Sequence, residues 1–197
     1  MTPMRLVLIA GLFGACTVGE TGSGGRDSGT TPIDSAGETD APASDAPAGA
    51  RLVVTFTSTP TPGGGQYAPS NVDAVWIEGP TGTTFVKTIG QWAATRKGNL
   101  LAWNAAAGPN DVDAISGATQ LTYATPLTTM AWNLQDRLGA VVPDGTYTVR
   151  MESTDLNANT AAQNNQGTFT FVKSAVAQSQ TGLTNGGFTN VSIQFTP

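Results

Sequence analysis

The stretch from Asp111 to Thr119 holds the residues whose types and spacing point most directly to chemistry. It reads Asp-Val-Asp-Ala-Ile-Ser-Gly-Ala-Thr. A Ser-Gly pair interrupts regular structure, so the sequence predicts a bend at Ser116 and Gly117 that presents the hydroxyl of Thr119. That hydroxyl is a weak nucleophile near neutral pH, so covalent modification of Thr119 would require a separate enzyme.

The pattern Asp-x-x-Ser-Gly-Ala-Thr resembles the site at which flavin transferases attach flavin mononucleotide to a threonine in bacterial flavin-binding domains. The resemblance implies that Thr119 is the acceptor of covalent FMN. It also implies that a flavin transferase recognises the motif residues Asp113, Ser116, Gly117 and Ala118. The cofactor would carry the redox chemistry, with the protein supplying position and environment.

The composition excludes several catalytic mechanisms. The chain has no histidine and a single cysteine, so Ser-His-Asp and Cys-His catalysis and a histidine zinc site are ruled out. No Gly-x-x-x-x-Gly-Lys sequence is present to hold phosphates. We therefore expect a protein that is not an enzyme, with no catalytic residues and no metal site.

Carboxylates and tryptophans are the remaining candidates for a site. Asp73 and Glu78 are five residues apart on a predicted strand, so they should point to opposite faces. The stretch from Asp155 to Asn159 resembles the start of a calcium loop, but it lacks the later glycine and glutamate that such loops need, which favours a polar loop. Four tryptophans could stack sugars, although core packing is the commoner role: Trp76, Trp92, Trp103 and Trp132.

The N-terminus predicts export and lipid anchoring. Residues 1–15 carry Arg5, a short apolar run and a final Gly-Ala, which is typical of a signal peptide. The run is shorter than the about 20 apolar residues that span a bilayer. Cys16 follows directly, and the arrangement resembles a bacterial lipobox, although the usual leucine is displaced by one position to Leu12. The resemblance implies that Cys16 is lipidated and that the protein is periplasmic or displayed on the cell surface.

Residues 16–50 have the composition of a disordered tether. They are rich in Gly, Ser, Thr, Ala, Pro and Asp, and Val18 and Ile33 are their only aliphatic residues larger than alanine. Such a segment cannot bury enough apolar surface to offset its chain entropy. Six acidic residues stand against Arg26 alone, whereas residues 51–197 are nearly neutral. A basic patch is lacking, which argues against a nucleic-acid partner.

Residues 51–197 predict a single all-β domain. Period-two alternation recurs in short segments separated by Gly, Pro, Asn and Asp turns, which is typical of an immunoglobulin-like β-sandwich. The region 91–110 is the least strand-like and predicts a short helix or an ordered loop. The strands are predicted around residues 52–56, 72–78, 85–89, 127–134, 146–152, 167–172 and 188–195.

Two further resemblances support this fold class. The segments 131–136 and 142–149 resemble the immunoglobulin-like module of the flagellar hook-cap scaffold protein, with a strand, a polar turn and Pro-Asp-Gly before the next strand. From about Tyr67 onward, the chain is also similar to a family of uncharacterised bacterial periplasmic proteins. The matching pieces are 75–78, 85–89, 91–92, 113–119 and 144–147.

These features predict a membrane-anchored lipoprotein whose immunoglobulin-like domain is a non-enzymatic binding or structural module. Its partners would be the membrane, through the lipid, and an unknown protein or envelope component. One alternative is an electron-transfer carrier with FMN on Thr119. A weaker alternative is a carbohydrate-binding module.

Overall fold

The computed structural model describes residues 49–62, 64–81, 84–108, 119, 123 and 128–197. The predicted signal peptide, Cys16 and the predicted tether up to residue 48 lie outside these residues. Ala50, which we assigned to the tether, is only 8% exposed and packs in the core. The folded domain therefore begins slightly earlier than the predicted boundary at Arg51.

Within the residues that the structure describes, eight strands form two four-stranded antiparallel sheets, which confirms the predicted β-sandwich. The first sheet has the order β4-β1-β8-β7 and the second has the order β3-β2-β5-β6. The strands are β1 (Arg51–Ser58), β2 (Val72–Glu78), β3 (Phe85–Trp92), β4 (Thr128–Trp132), β5 (Gly145–Thr154), β6 (Asn165–Lys173), β7 (Gln178–Asn185) and β8 (Phe188–Thr196).

Two helical segments lie in the region 91–110, which we predicted to hold a short helix or an ordered loop. A 3-10 helix (Ala94–Asn99) leads into α1 (Leu101–Ala107), and both belong to the connection between β3 and β4. A second 3-10 helix (Ala161–Gln163) lies between β5 and β6. No helix in the described part of the chain is long and apolar enough to cross a membrane.

The strand order matches the immunoglobulin arrangement. The order β6-β5-β2-β3 corresponds to strands G, F, C and C′ of a variable-type sheet, and the pair β1 and β4 corresponds to B and E. The C-terminal strand β8 occupies the place beside β1 where an immunoglobulin domain has strand A. The sandwich is thus immunoglobulin-like, but the strand in the position of strand A comes from the C-terminus of the chain and not from its N-terminus.

Alternating side chains from the two sheets form the main core. Val75 and Ile77 of β2 face β8 residues such as Ile193 across the sandwich, and each of the three is at most 1% exposed. The predicted burial of Val75, Ile77, Tyr147, Val149, Ile193 and Phe195 is confirmed.

A second apolar cluster lies on the outer face of the second sheet. Trp76 of β2 packs there with Leu100 and Trp103, which α1 and its preceding residue bring against the sheet. Every residue of β2 is consequently buried, so this strand is covered on both faces. The helical insertion therefore completes a second, smaller core.

Tyr147 forms the corner that leads into β5. Its ring packs against Trp132 and Phe171, and its hydroxyl donates to the carbonyl oxygen of Pro143 at 2.6 Å. A tyrosine near the start of strand F that bonds back to the upstream backbone is a hallmark of immunoglobulin domains. The bond fixes the path of the chain between β4 and β5.

We expect Tyr147→Phe to lower the free energy of unfolding by about 0.5–1.5 kcal/mol, the net value of one hydrogen bond. The ring packing is kept, so the loss reports the corner bond alone. Urea unfolding followed by tryptophan fluorescence measures it. Tyr67→Phe is the matched control, because it removes a hydroxyl whose hydrogen bond, from the side chain of Asn157, is exposed to solvent, and it should cost less. Equal losses for both variants would contradict the role of the corner.

Candidate functional site

Three long connections meet at one end of the sandwich. Ser58 ends β1 opposite Phe188, and Thr154 ends β5 opposite Val72 at the start of β2. The connections 59–71, 93–127 and 155–164 therefore leave the sheets at the same end, which we call the loop end. The opposite end, where β1 begins, is the base. In immunoglobulin variable domains, the corresponding loops bind the ligand.

A surface cluster ties the three connections together. The guanidinium carbon of Arg96 lies 3.7 Å from the ring centroid of Tyr67, a cation-π contact. The side chain of Asn157 donates to the hydroxyl of Tyr67 at 2.7 Å. Arg96 in turn donates to the carbonyl of Leu156 at 3.3 Å and to the side chain of Asn157 at 3.4 Å. We call Tyr67, Arg96 and Asn157 the three-loop cluster.

Asp155 is buried at the same end of the sandwich. Its side chain links the connection 155–164 to the two other connections, 59–71 and 93–127. It is 1% exposed, and its carboxylate accepts hydrogen bonds from the hydroxyls of Thr61 and Tyr123. Burial, together with the bond to Asp155, raises the pKa of the Tyr123 phenol. A Cβ atom on Gly65 would overlap the Asp155 carboxylate, so glycine is required there for the chain to approach it. The site is thus pre-formed around a buried carboxylate.

Asp73 is a second fully buried carboxyl group at this end of the second sheet. It shares the inner face of β2 with Val75, and burial raises its pKa well above the ordinary value. When its amide nitrogen is oriented toward Asp73, Asn71 donates to both carboxylate oxygens, at 3.0 and 2.5 Å. Glu78 lies on the outer face and accepts a hydrogen bond from the Trp76 indole. The prediction that Asp73 and Glu78 point to opposite faces is confirmed.

Glu152 of β5 fixes the helical insertion to the sheet. It is fully buried, and its carboxylate accepts the backbone N–H groups of Ala102 and Trp103 at 3.0 and 2.8 Å. The side chain of Asn164 donates to it at 2.8 Å. Burial raises the pKa of Glu152, against the opposing effect of these hydrogen bonds. This carboxylate therefore supplies the N-terminal cap that α1 lacks in its own sequence.

The residues of the flavin-like motif lie in the connection between β3 and β4. Thr119 is half-buried. Asp113, Ser116, Gly117 and Ala118 lie outside the described residues, so attachment of FMN at Thr119 stays a prediction.

The tryptophans are used mainly for packing. Trp76, Trp103 and Trp132 are each 1% exposed, and the half-buried Trp92 packs against Phe56. The packing interpretation is therefore confirmed, and of the four tryptophans Trp92 alone keeps part of its surface exposed. Asn157, in the calcium-like stretch, bonds to Tyr67. Within the described ranges, no group of three His, Cys, Asp or Glu residues comes together to hold a metal ion.

Sequence reasoning named Asp73 and Asp155 as candidates without their burial, and it missed Glu152 and the three-loop cluster. Asp73 had a usable signal, because a carboxylate within the apolar run of β2 must be either buried or at an edge. Glu152 and the cluster depend on contacts between residues 29 to 90 positions apart in the chain. No pattern within one segment could indicate them.

Comparison of the chain with protein-family models, with curated proteins and with solved structures found no match. The immunoglobulin-like assignment thus rests on the strand order and the tyrosine corner. The resemblances to the hook-cap module, to the periplasmic family and to the lipobox remain predictions.

We expect Asp73→Asn to flatten the dependence of stability on pH. A carboxyl group whose pKa is raised in the folded protein holds its proton more tightly there. Folding stability is therefore lost as the pH rises from the unfolded value of about 3.9 through the raised pKa. Removing the titrating group removes that loss. Urea unfolding between about pH 4 and pH 8 measures the effect.

The matched control is Asp144→Asn, because the Asp144 side chain is 66% exposed. The slope of stability against pH should change more in Asp73→Asn than in this control. A slope that is the same in Asp73→Asn and in the unaltered protein would show that Asp73 does not titrate differently on folding.

Proposed function

We propose that this chain is an exported, lipid-anchored module that binds a protein or envelope component through its loop end and performs no catalysis. One observation carries the proposal. The three long connections converge at the end of the sandwich opposite the start of β1, to which residues 1–50 are joined. Eight residues of β1 separate the two ends by roughly 25 Å. The loop end is therefore the end of the domain farther from the point at which the chain enters β1.

The chemistry of the loop end supports recognition of a partner. The carboxyl groups of Asp73, Glu152 and Asp155 are buried and satisfied from within, whereas the three-loop cluster lies at the surface. Tyrosine, arginine and asparagine side chains held by mutual contacts lose little rotamer freedom on binding. Binding of a partner to such a cluster therefore loses little side-chain conformational entropy.

Two other functions remain as alternatives. A flavin carrier would require FMN on Thr119, which absorbance of the purified native protein near flavin wavelengths would detect. A carbohydrate ligand would stack on Tyr67 or on the half-buried Trp92, because Trp76, Trp103 and Trp132 are buried.

Photo-crosslinking in cells that export the protein tests the proposed binding surface. We expect a photoreactive amino acid at Tyr67 or Asn157 to give discrete cross-linked products. The same amino acid at Leu138 or Val176 should give none of these products. Both control positions lie near the base and are 81% and 68% exposed, so accessibility alone cannot explain a difference. Identical products from both ends, or products from the base alone, would contradict the proposal.

Membrane fractionation tests the anchor independently. We expect Cys16→Ser to release the protein from the membrane fraction or to leave its signal peptide uncleaved, because the thiol that carries the lipid is absent. Mass spectrometry of the mature N-terminus should show an acyl addition in the unaltered protein alone. Unchanged fractionation without any acyl mass would rule out lipid anchoring at Cys16.

A further inference from the structure

The four edge strands of the sandwich differ in how far they are protected against pairing with another strand. The pairing of β3 with β2 and that of β7 with β8 are each interrupted by two register shifts, which disrupt a regular edge. The backbone edge of β6 is occupied by amide side chains of β7. Gln178 accepts from the N–H and donates to the carbonyl of Val172, at 3.2 and 2.9 Å, and Gln180 donates to the carbonyl of Thr170 at 2.8 Å. Within the described part of the chain, three of the four edges are thus protected.

The edge of β4 lacks these features. Its register with β1 runs without a shift from Thr128 to Trp132, and the strand contains neither a proline nor a charged residue. Among the described residues, its backbone groups bond to β1 alone. β4 therefore presents a regular row of N–H and C=O groups, to which an extended chain can add as a further strand.

A cleft of about 470 Å³ lies between β4 and β3, near the base. Ile89 and Trp132 line its apolar part, and Arg51 and Lys87 contribute cationic side chains. Lys87 is paired with Ile77, whose side chain is in the core, so the side chain of Lys87 leaves β3 toward the gap between the two sheets. Because neighbouring strands lie about 4.8 Å apart, a strand added to β4 would run through this cleft and past both cations.

The positive charge of the cleft indicates which kind of strand fits it. None of the lining residues is acidic. In the part of the chain that the structure describes, the ion pairs involve Arg150 and Lys173 and not the two cations of the cleft. Lys87 contacts the backbone carbonyl of Asp136 at 3.5 Å, and the carboxylate of Asp136 already accepts two backbone N–H groups. The β4 segment of a second copy would bring no carboxylate, because residues 128–133 contain none. The charge therefore favours an acidic segment of another protein.

We propose that an extended acidic segment of a partner protein pairs with β4 and lies in this cleft. Backbone hydrogen bonds to β4 supply the affinity, and carboxylates of the segment pair with the exposed Arg51 and the half-buried Lys87, which selects acidic sequences. Salt weakens the charged contacts and leaves the backbone hydrogen bonds in place. The site is separate from the three-loop cluster, so it gives the domain a second binding surface that does not depend on the loop end.

NMR titration of the full chain carrying Cys16→Ser tests this proposal. The probe is the capped octapeptide Thr-Glu-Val-Glu-Glu-Val-Glu-Thr, whose glutamates lie on both faces when it is extended. We expect it to shift the amide signals of residues 87–89 and 128–133 and to leave those of β6 and β7 unchanged. A peptide with glutamine in place of every glutamate lacks the charge, and a peptide methylated on alternate amide nitrogens cannot pair as a strand. Each should bind at least about tenfold more weakly, which corresponds to about 1.4 kcal/mol.

Charge reversal tests the protein side of the contact. Arg51→Glu with Lys87→Glu should weaken binding of the octapeptide by at least about tenfold. The matched control, Lys97→Glu with Lys173→Glu, reverses as many charges on elements that do not line the cleft, and it should weaken binding far less.

Three results would overturn the proposal. One is the absence of shifts at residues 128–133, and another is equal binding of the octapeptide and its methylated form, a comparison that needs no variant to fold. The third is a set of shifts at residues 128–133 that follows protein concentration without any peptide, because the strand beside β4 would then come from a second copy.

Discussion

The buried carboxylate of Glu152 is the interaction that fixes the helical insertion and, through it, the loop end of the sandwich. It projects from β5 and binds two backbone N–H groups of α1 and the side chain of Asn164. A buried charge is tolerated only when its hydrogen bonds are made. The helical insertion supplies those bonds, and the carboxylate in turn satisfies an uncapped helix end. Without the helix, Glu152 would be a buried carboxylate that lacks hydrogen bonds. Without Glu152, the first N–H groups of α1 would lack acceptors.

This mutual dependence explains why β2 is buried on both faces and how the loop end is assembled. With α1 fixed, Trp103 lies against Trp76, and its indole donates to Thr88 at 2.9 Å. The preceding 3-10 helix then brings Arg96 against Tyr67. Further along the same connection, Tyr123 bonds to Asp155. Buried polar groups at one end of the sandwich thus hold a surface cluster in a defined position.

The sequence predicted most strands because alternation reports a half-buried strand directly. It predicted β2 with the correct bounds and the correct inward residues, Val75 and Ile77. It missed β7 because Gln178–Asn185 is a polar edge strand without an apolar face. The amide side chains of β7 bond to the backbone of β6, and such bonds produce no alternation of apolar and polar residues in the sequence. The candidate site was missed for a related reason, since Glu152 and Asp155 acquire partners only when distant segments meet.

Hydrogen exchange of Glu152→Gln tests this account most directly. Glutamine keeps the size of the side chain but replaces one acceptor oxygen with a donor, which opposes the N–H groups of Ala102 and Trp103. The account predicts faster exchange in α1 and at residues 94–99, with protection retained in β1 and β8. Unchanged exchange in α1 would contradict it. An equal loss of protection in both sheets would also contradict it, because Glu152 would then support the whole sandwich and not the loop end.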